Sequence, residues 1–203
     1  MSRPDVGRLL SWLLLGLTLS WLAGCATTPP EDAAAKKTAL PPEAQAAFAR
    51  ARWSVEAGRE QEAIDLFRQM TVKWPNLALG HVNLGLQELK AGNTDAALAA
   101  LERAVQLEPE NAVAWNHLGV ALRRKGRFRQ ALEAYRQAVN RRPDYANAYL
   151  NLGILYDLYL QELPQALDAY RRYQQLHGED DTVKKWIVDL ERRIAAEHKG
   201  NAG

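Results

Sequence analysis

The chain repeats itself every 34 residues, and a period of that length decides the class of fold before any single element is assigned. Trp115, Leu118, Gly119, Leu122, Gly126, Ala131, Tyr135, Ala138 and Pro143 form one series. One period earlier stand Leu84, Gly85, Gly92, Ala97, Leu101, Ala104 and Pro109, and one earlier still Gly58, Ala63, Phe67, Met70 and Pro75, with Arg50 and Ala51 in place of the Leu-Gly pair. One period later come Tyr149, Leu152, Gly153 and Tyr156. The next alanine then slips by one, since Gly153 to Ala166 is 13 steps where Gly119 to Ala131 is 12. Each unit holds two stretches of helical apolar spacing around a turn, and a proline closes the second. The expected fold is all-α, with four antiparallel helix pairs over 44–77, 78–111, 112–145 and 146–179, stacked because one pair cannot bury its apolar face alone.

Within a pair, Gly119 and Ala131 are expected to face each other as small residues that let the helices approach, with Trp115, Leu118, Leu122 and Tyr135 around them. Gly126, in Lys125-Gly126-Arg127, takes the left-handed conformation that ends a first helix. The fourth unit lacks this glycine, and the stretch from Tyr159 to Pro164 makes a longer turn. Residues 180–198 read as a capping helix, with Val183, Trp186, Ile187, Leu190 and Ile194 on one face and Trp186 buried there. Residues 199–203 read as a disordered tail.

The spacing W-x2-L-G-x2-L, then A-x3-Y, then P resembles the tetratricopeptide repeat (TPR), over about Ala44 to Glu179. The resemblance implies a right-handed superhelical solenoid whose concave groove is lined by the second, fifth, ninth and twelfth positions of each first helix. These positions are Gln45, Phe48, Arg52 and Val55; Leu79, Val82, Leu86 and Leu89; Val113, Asn116, Val120 and Arg123; and Asn147, Leu150, Ile154 and Asp157. The set is apolar in the middle and polar at one edge, which suits a peptide that inserts apolar side chains and makes a few polar contacts. About a third of these residues are expected to pack between repeats instead. Chaperone-binding members of the family clamp a terminal carboxylate with lysine, asparagine and arginine. Val113 and His117 occupy the third-repeat positions of those cations, so no such clamp is expected.

Ahead of the repeats, Arg3 and Arg8 precede an apolar run from Leu9 to Leu22 and then Ala23-Gly24-Cys25. This is the charge, apolar core and small-residue site of a secretory signal over 1–24. The run of about 14 residues is short of the roughly 20 that span a bilayer. Leu22-Ala23-Gly24-Cys25 is similar to the lipobox of bacterial lipoproteins, which implies lipidation of Cys25 and a mature chain beginning there. Ala26, where an aspartate would retain such a protein at the inner membrane, implies the periplasmic face of the outer membrane. Residues 25–43 read as a flexible tether, whose first 17 or so residues reach about 20–25 Å.

Composition adds mainly exclusions. Of 203 residues, 26 are Lys or Arg and 24 Asp or Glu, a net charge of +2 that gives no general affinity for nucleic acid. A single cysteine excludes an internal disulfide. The four histidines, His81, His117, His177 and His198, show no metal-ligand spacing, and there is no phosphate-binding glycine loop or serine elbow. No enzyme activity, cofactor or metal is expected. Charge is uneven, however. Residues 112–145 hold eight cations against two carboxylates, while residues 78–111 hold two against five. The cluster Arg124, Lys125, Arg127 and Arg129 is a candidate site for an acidic partner, lipopolysaccharide or lipid phosphate. The expected function is that of an outer-membrane-anchored scaffold which binds another envelope protein or peptide in its groove and supports assembly of an envelope complex. Similarity to pilotin-like lipoproteins of type IV pilus assembly, to accessories of Exb/Tol/TonB-type or gliding systems, and to lipoprotein regulators of peptidoglycan hydrolases leaves those alternatives open.

Overall fold

The computed structural model describes residues 40–200, and these are helical throughout apart from short turns. The expected signal and the expected tether up to residue 39, with Cys25, and the last three residues lie outside the described residues. The elements are α1 (Pro42–Glu56), α2 (Glu60–Lys73), α3 (Ala78–Lys90), α4 (Thr94–Leu107), α5 (Ala112–Arg124), α6 (Phe128–Arg141), α7 (Ala146–Leu155), a π-helical turn (Tyr156–Leu160), α8 (Leu163–His177) and α9 (Asp181–Gly200). No described helix is long and apolar enough to cross a membrane. The all-α helical-repeat fold expected from the 34-residue period is the fold observed.

Local chemistry sets where helices start. Pro42 opens α1 at a position whose N–H needs no partner. The Asn111 side chain accepts from the Ala114 N–H at 3.0 Å and caps α5. Asp180 caps α9 through the N–H groups of Thr182 and Val183, and these bonds hold its carboxyl below the usual carboxylate range.

The turns inside the first three repeats are alike. Gly58, Gly92 and Gly126 all have positive φ. The following N–H bonds back five residues, Arg59 to Ser54, Asn93 to Glu88 and Arg127 to Leu122, at 2.8, 2.8 and 2.9 Å. This is the helix-ending motif in which only glycine takes the left-handed residue without strain. The fourth turn has one residue more. It absorbs the excess as the π-helical turn, Gln161 takes the left-handed conformation at φ 58°, and the Glu162 N–H bonds to the Tyr156 carbonyl six residues back at 3.0 Å. The one-residue slip in the sequence is therefore a π-bulge, the form a single insertion takes in a helix.

Packing is nearest-neighbour. Each first helix packs on its own second helix, and each second helix on the next first helix. In addition α3 packs directly on α5 and α5 on α7, so these three first helices form an inner layer. One apolar cluster runs from α3 to α9, and a second, around Ile64, Phe67 and Met70, joins α1 and α2 to α3 and α4. The glycine that α3, α5 and α7 share at one register sits under a side chain of the paired second helix, while α1 carries Ala51 there. A Cβ on Gly85, Gly119 or Gly153 would lie 2.5 Å from Leu101, 2.5 Å from Tyr135 or 2.4 Å from Tyr170. The residue above Gly119 is thus Tyr135 and not Ala131, which is buried one helical turn away. Trp115, expected in the same interior, is half-buried at the other end of α5, where its Nε1–H donates to the Pro109 carbonyl at 2.7 Å.

α9 lies on α8 through Val183, Ile187 and Leu190. Trp186 is one step outside that stripe. Against the expectation of burial it stays 38% exposed, with its ring 5.4 Å from that of Tyr170.

Candidate functional site

The inner layer of first helices carries the sequence-derived groove positions, and the structure divides them by exposure. Val82, Leu89, Asn116 and Asp157 are buried and present no surface to a partner. Asn116 links repeats: its Oδ1 accepts from Asn151 Nδ2 at 3.0 Å and its Nδ2 donates to the Tyr145 hydroxyl at 3.5 Å. Asp157, inside the π-helical turn, accepts from Arg193 of α9 at 2.7 Å. Nearby, burial pushes the Tyr170 hydroxyl pKa up, and the Asp157 charge adds to the shift.

The remaining positions keep accessible surface. Leu86, Val120, Leu150 and Ile154 are half-buried, as is Phe48, whose ring lies 6.2 Å from that of Phe67. Arg52, exposed, pairs with Glu56 at 2.9 Å; Arg123 donates from Nε to the Tyr135 hydroxyl at 3.4 Å; Asn147 is exposed. Gln45 is exposed, and Val55, Leu79 and Val113 are half-buried. Aliphatic surface on α3, α5 and α7 thus runs across adjoining helices, with amide and guanidinium groups beside it.

Two polar residues were missed by the groove count. Asn151, half-buried next to Asn116, has Asn83 two periods before it, and that spacing was the available signal. Glu88 is 2% exposed and accepts from Arg68 and Asn93, each at 2.8 Å. It stands one period before Leu122, so a carboxylate in an apolar register marked it. A buried charge of this kind is retained only with partners that satisfy it.

The four residues of the basic cluster separate. Arg124 donates to the Leu89 carbonyl at the end of α3, and Lys125 pairs with Asp95 at 2.8 Å. Both join the third repeat to the acidic second. Arg127 and Arg129 are exposed, and among the described residues their side chains make no ion pair or hydrogen bond.

His81 and His117 lie on the first helices, and burial is the main cause that lowers the pKa of each. Lys90 adds to the shift at His117. The fold therefore favours neutral imidazoles. The unfolded chain takes up the proton first, so stability present above pH 6.5 is lost as pH falls from there through the native pKa. Urea unfolding between pH 7.5 and 5.5 is expected to show a falling stability with a ceiling of about 1.4 kcal/mol per pH unit from His117. His117→Gln is expected to flatten that slope. Among the described residues no three His, Cys, Asp or Glu side chains converge as a metal-ligand set.

Comparison with known proteins agrees with this geometry. Residues 82–128 match the tetratricopeptide repeat model and residues 121–158 a TPR repeat model. No curated protein sequence is a match. The solved structure of MamA residues 41-end from Desulfovibrio magneticus RS-1 is similar at 20% identity and TM-score 0.67, covering 80% of this chain and 94% of that one. YrrB, a TPR protein described with an unusual peptide-binding site, is similar at 22% identity and TM-score 0.61, covering 70% of this chain and 73% of its own. The first TPR of Spaghetti (RPAP3), solved with the HSP90 peptide SRMEEVD, is similar at 24% identity and TM-score 0.55, covering 58% of this chain and 93% of its own. The described solenoid has the fold of TPR proteins, and its central region matches their repeats in sequence.

Proposed function

We propose that this chain is a non-catalytic scaffold, held at the periplasmic face of an outer membrane by acyl chains on Cys25, that takes a segment of another envelope protein along its first-helix face. The observation that carries the reading is the accessible aliphatic row Leu86, Val120, Leu150 and Ile154, on first helices that adjoin one another. Val120, Leu150 and Ile154 pack on the core with one side and, like Leu86, keep part of their surface accessible. A peptide lying across this row buries alternate or helically spaced apolar side chains, while Asn147, Asn151 and Arg123 can bond its polar groups. Peptide binding by YrrB and by the Spaghetti (RPAP3) repeat lends the reading support. The occupant differs in kind from an acidic C-terminal peptide, because Val113 and His117 stand where the family's clamp places cations. Lipidation rests on Leu22-Ala23-Gly24-Cys25, and several acyl chains would anchor the protein stably where one would not.

Photoreactive residues placed at Leu86, Val120 and Ile154 in the native envelope, with a control at exposed Val72 on α2, test the groove. The three are expected to crosslink one common protein that Val72 does not. Val120→Glu should weaken capture of that protein about 30-fold, the effect of a hot-spot residue near 2 kcal/mol. Equal crosslinking from Val72, or three unrelated sets of products, would overturn the groove reading. In the same cells Cys25→Ser should abolish fatty-acid labelling and release the protein from the membrane fraction. Unchanged labelling would overturn the anchor.

A further inference from the structure

The turns within the repeats lie at one edge of the solenoid, where first helices end and second helices begin. Three of them close with Gly58-Arg59, Gly92-Asn93 and Gly126-Arg127. The fourth instead carries Leu158 and Tyr159 outward, 61% and 40% exposed. The turn closes through Gln161 and the Glu162 N–H, so closure does not account for these side chains. Beside them the Tyr159 ring lies 4.7 Å from Phe128, and the Arg123 guanidinium 5.7 Å from the same ring. Leu160 shares a shallow cleft with Arg127, Phe128 and Arg129. The bond between Arg193 and Asp157 brings the C-terminal half of α9 to this edge as well. The result is a projecting apolar and aromatic tip next to Arg127 and Arg129, which have no carboxylate partner among the described residues.

We propose that this edge rests on an anionic lipid surface, with Leu158 and Tyr159 entering the headgroup region and Arg127 and Arg129 meeting lipid phosphates. Tyrosine suits a boundary where its ring is in an apolar layer and its hydroxyl in a wet one. Arginine presents a planar fork that fits phosphate oxygens in pairs. A tip that projects from a turn fits a deformable surface, whereas a folded acidic partner would call for a cleft of matching shape. The proposal rests on the membrane-anchored reading only for the nearness of a bilayer, which the apolar run of residues 9–22 and Cys25 imply.

The test uses the full chain with Cys25→Ser, so that no acyl chain contributes, and with Leu158→Cys carrying an environment-sensitive NBD dye. Vesicles of phosphatidylcholine with phosphatidylglycerol should brighten and blue-shift the dye, and spin-labelled acyl chains should quench it. Vesicles of phosphatidylcholine alone should do neither. Arg127→Gln with Arg129→Gln should move the midpoint of the lipid titration about 30-fold upward, the loss of two surface cations. The same dye at Asp144→Cys, on the opposite edge, should report water throughout. The proposal is overturned if the dye at residue 158 reads as in buffer, if both edges respond alike, or if the arginine pair leaves the midpoint in place. An acidic protein partner would give the first of these results, with a dye change only on adding envelope extract. If fatty acid fails to label Cys25 while the dye still reports lipid, the anchor alone falls.

Discussion

Tyr135→Ala is expected to cost about 3–5 kcal/mol of unfolding free energy, the range for truncating a fully buried aromatic. The ring is 0% exposed and lies directly on Gly119, so no side chain of α5 can move in to fill the space it leaves. Burial also raises the pKa of its hydroxyl, and Arg123 loses the acceptor of its Nε–H bond when the ring goes. The loss falls on the α5–α6 pair in the middle of a one-dimensional array, where each repeat is held only by its neighbours. Against a total of about 5–15 kcal/mol for a domain, this should uncouple the repeats on either side. Urea unfolding followed by circular dichroism should show a lower midpoint and a transition that is no longer single. Tyr135→Phe, which keeps the ring and loses one hydrogen bond, should cost about 1 kcal/mol. A loss below 1 kcal/mol for the alanine variant would show that α5 and α6 are not held by this contact.

The contrast between the two variants also shows which parts of the molecule a sequence can display. What every repeat does in the same way leaves a periodic mark: Ala78, Ala112 and Ala146 begin three first helices, and Gly58, Gly92 and Gly126 end the preceding ones with positive φ. What one repeat does alone leaves a break in the period whose meaning depends on contacts elsewhere. The slip between Gly153 and Ala166 is visible in the period, but the bond that Asp157 of the π-helical turn accepts from Arg193 joins it to α9, 36 residues away. Glu88 likewise marked itself by replacing the Leu122 type, while its partners Arg68 and Asn93 come from different elements. Adjacency misled at the basic cluster. Arg124 and Lys125 close the end of α5 and reach back to Leu89 and Asp95, whereas Arg127 and Arg129 begin the next helix facing outward. In the groove, a position number states which way a residue points along its own helix. It does not state how near the next repeat stands, and that distance is what buries Val82, Leu89, Asn116 and Asp157.

Gly153→Val and Val188→Gly exchange the same two residues at equivalent registers and are expected to have opposite consequences. Val188 follows Gly153 by the inserted period, as Gly153 follows Gly119 and Gly119 follows Gly85. In the three glycine positions a second helix packs so closely that a Cβ would meet Leu101, Tyr135 or Tyr170 within 2.5 Å. At α9 no second helix is packed on that register among the described residues, and Val188 is 61% exposed. Valine at residue 153 must push the buried Tyr170 ring aside or part α7 from α8, an overpacking cost of about 3 kcal/mol or more that the better helix propensity of valine offsets only slightly. Glycine at residue 188 loses only helix propensity, less than about 1 kcal/mol. Thermal unfolding of the two variants should separate them widely, with Gly153→Val poorly folded and Val188→Gly close to the parent. A Gly153→Val protein as stable as the parent would mean that α7 and α8 can separate without loss. Equal damage from Val188→Gly would mean that the α9 face is covered. If both expectations hold, this register is closed to a larger side chain on α7, where Tyr170 covers it, and open on α9, where valine stands in place of the glycine of α3, α5 and α7.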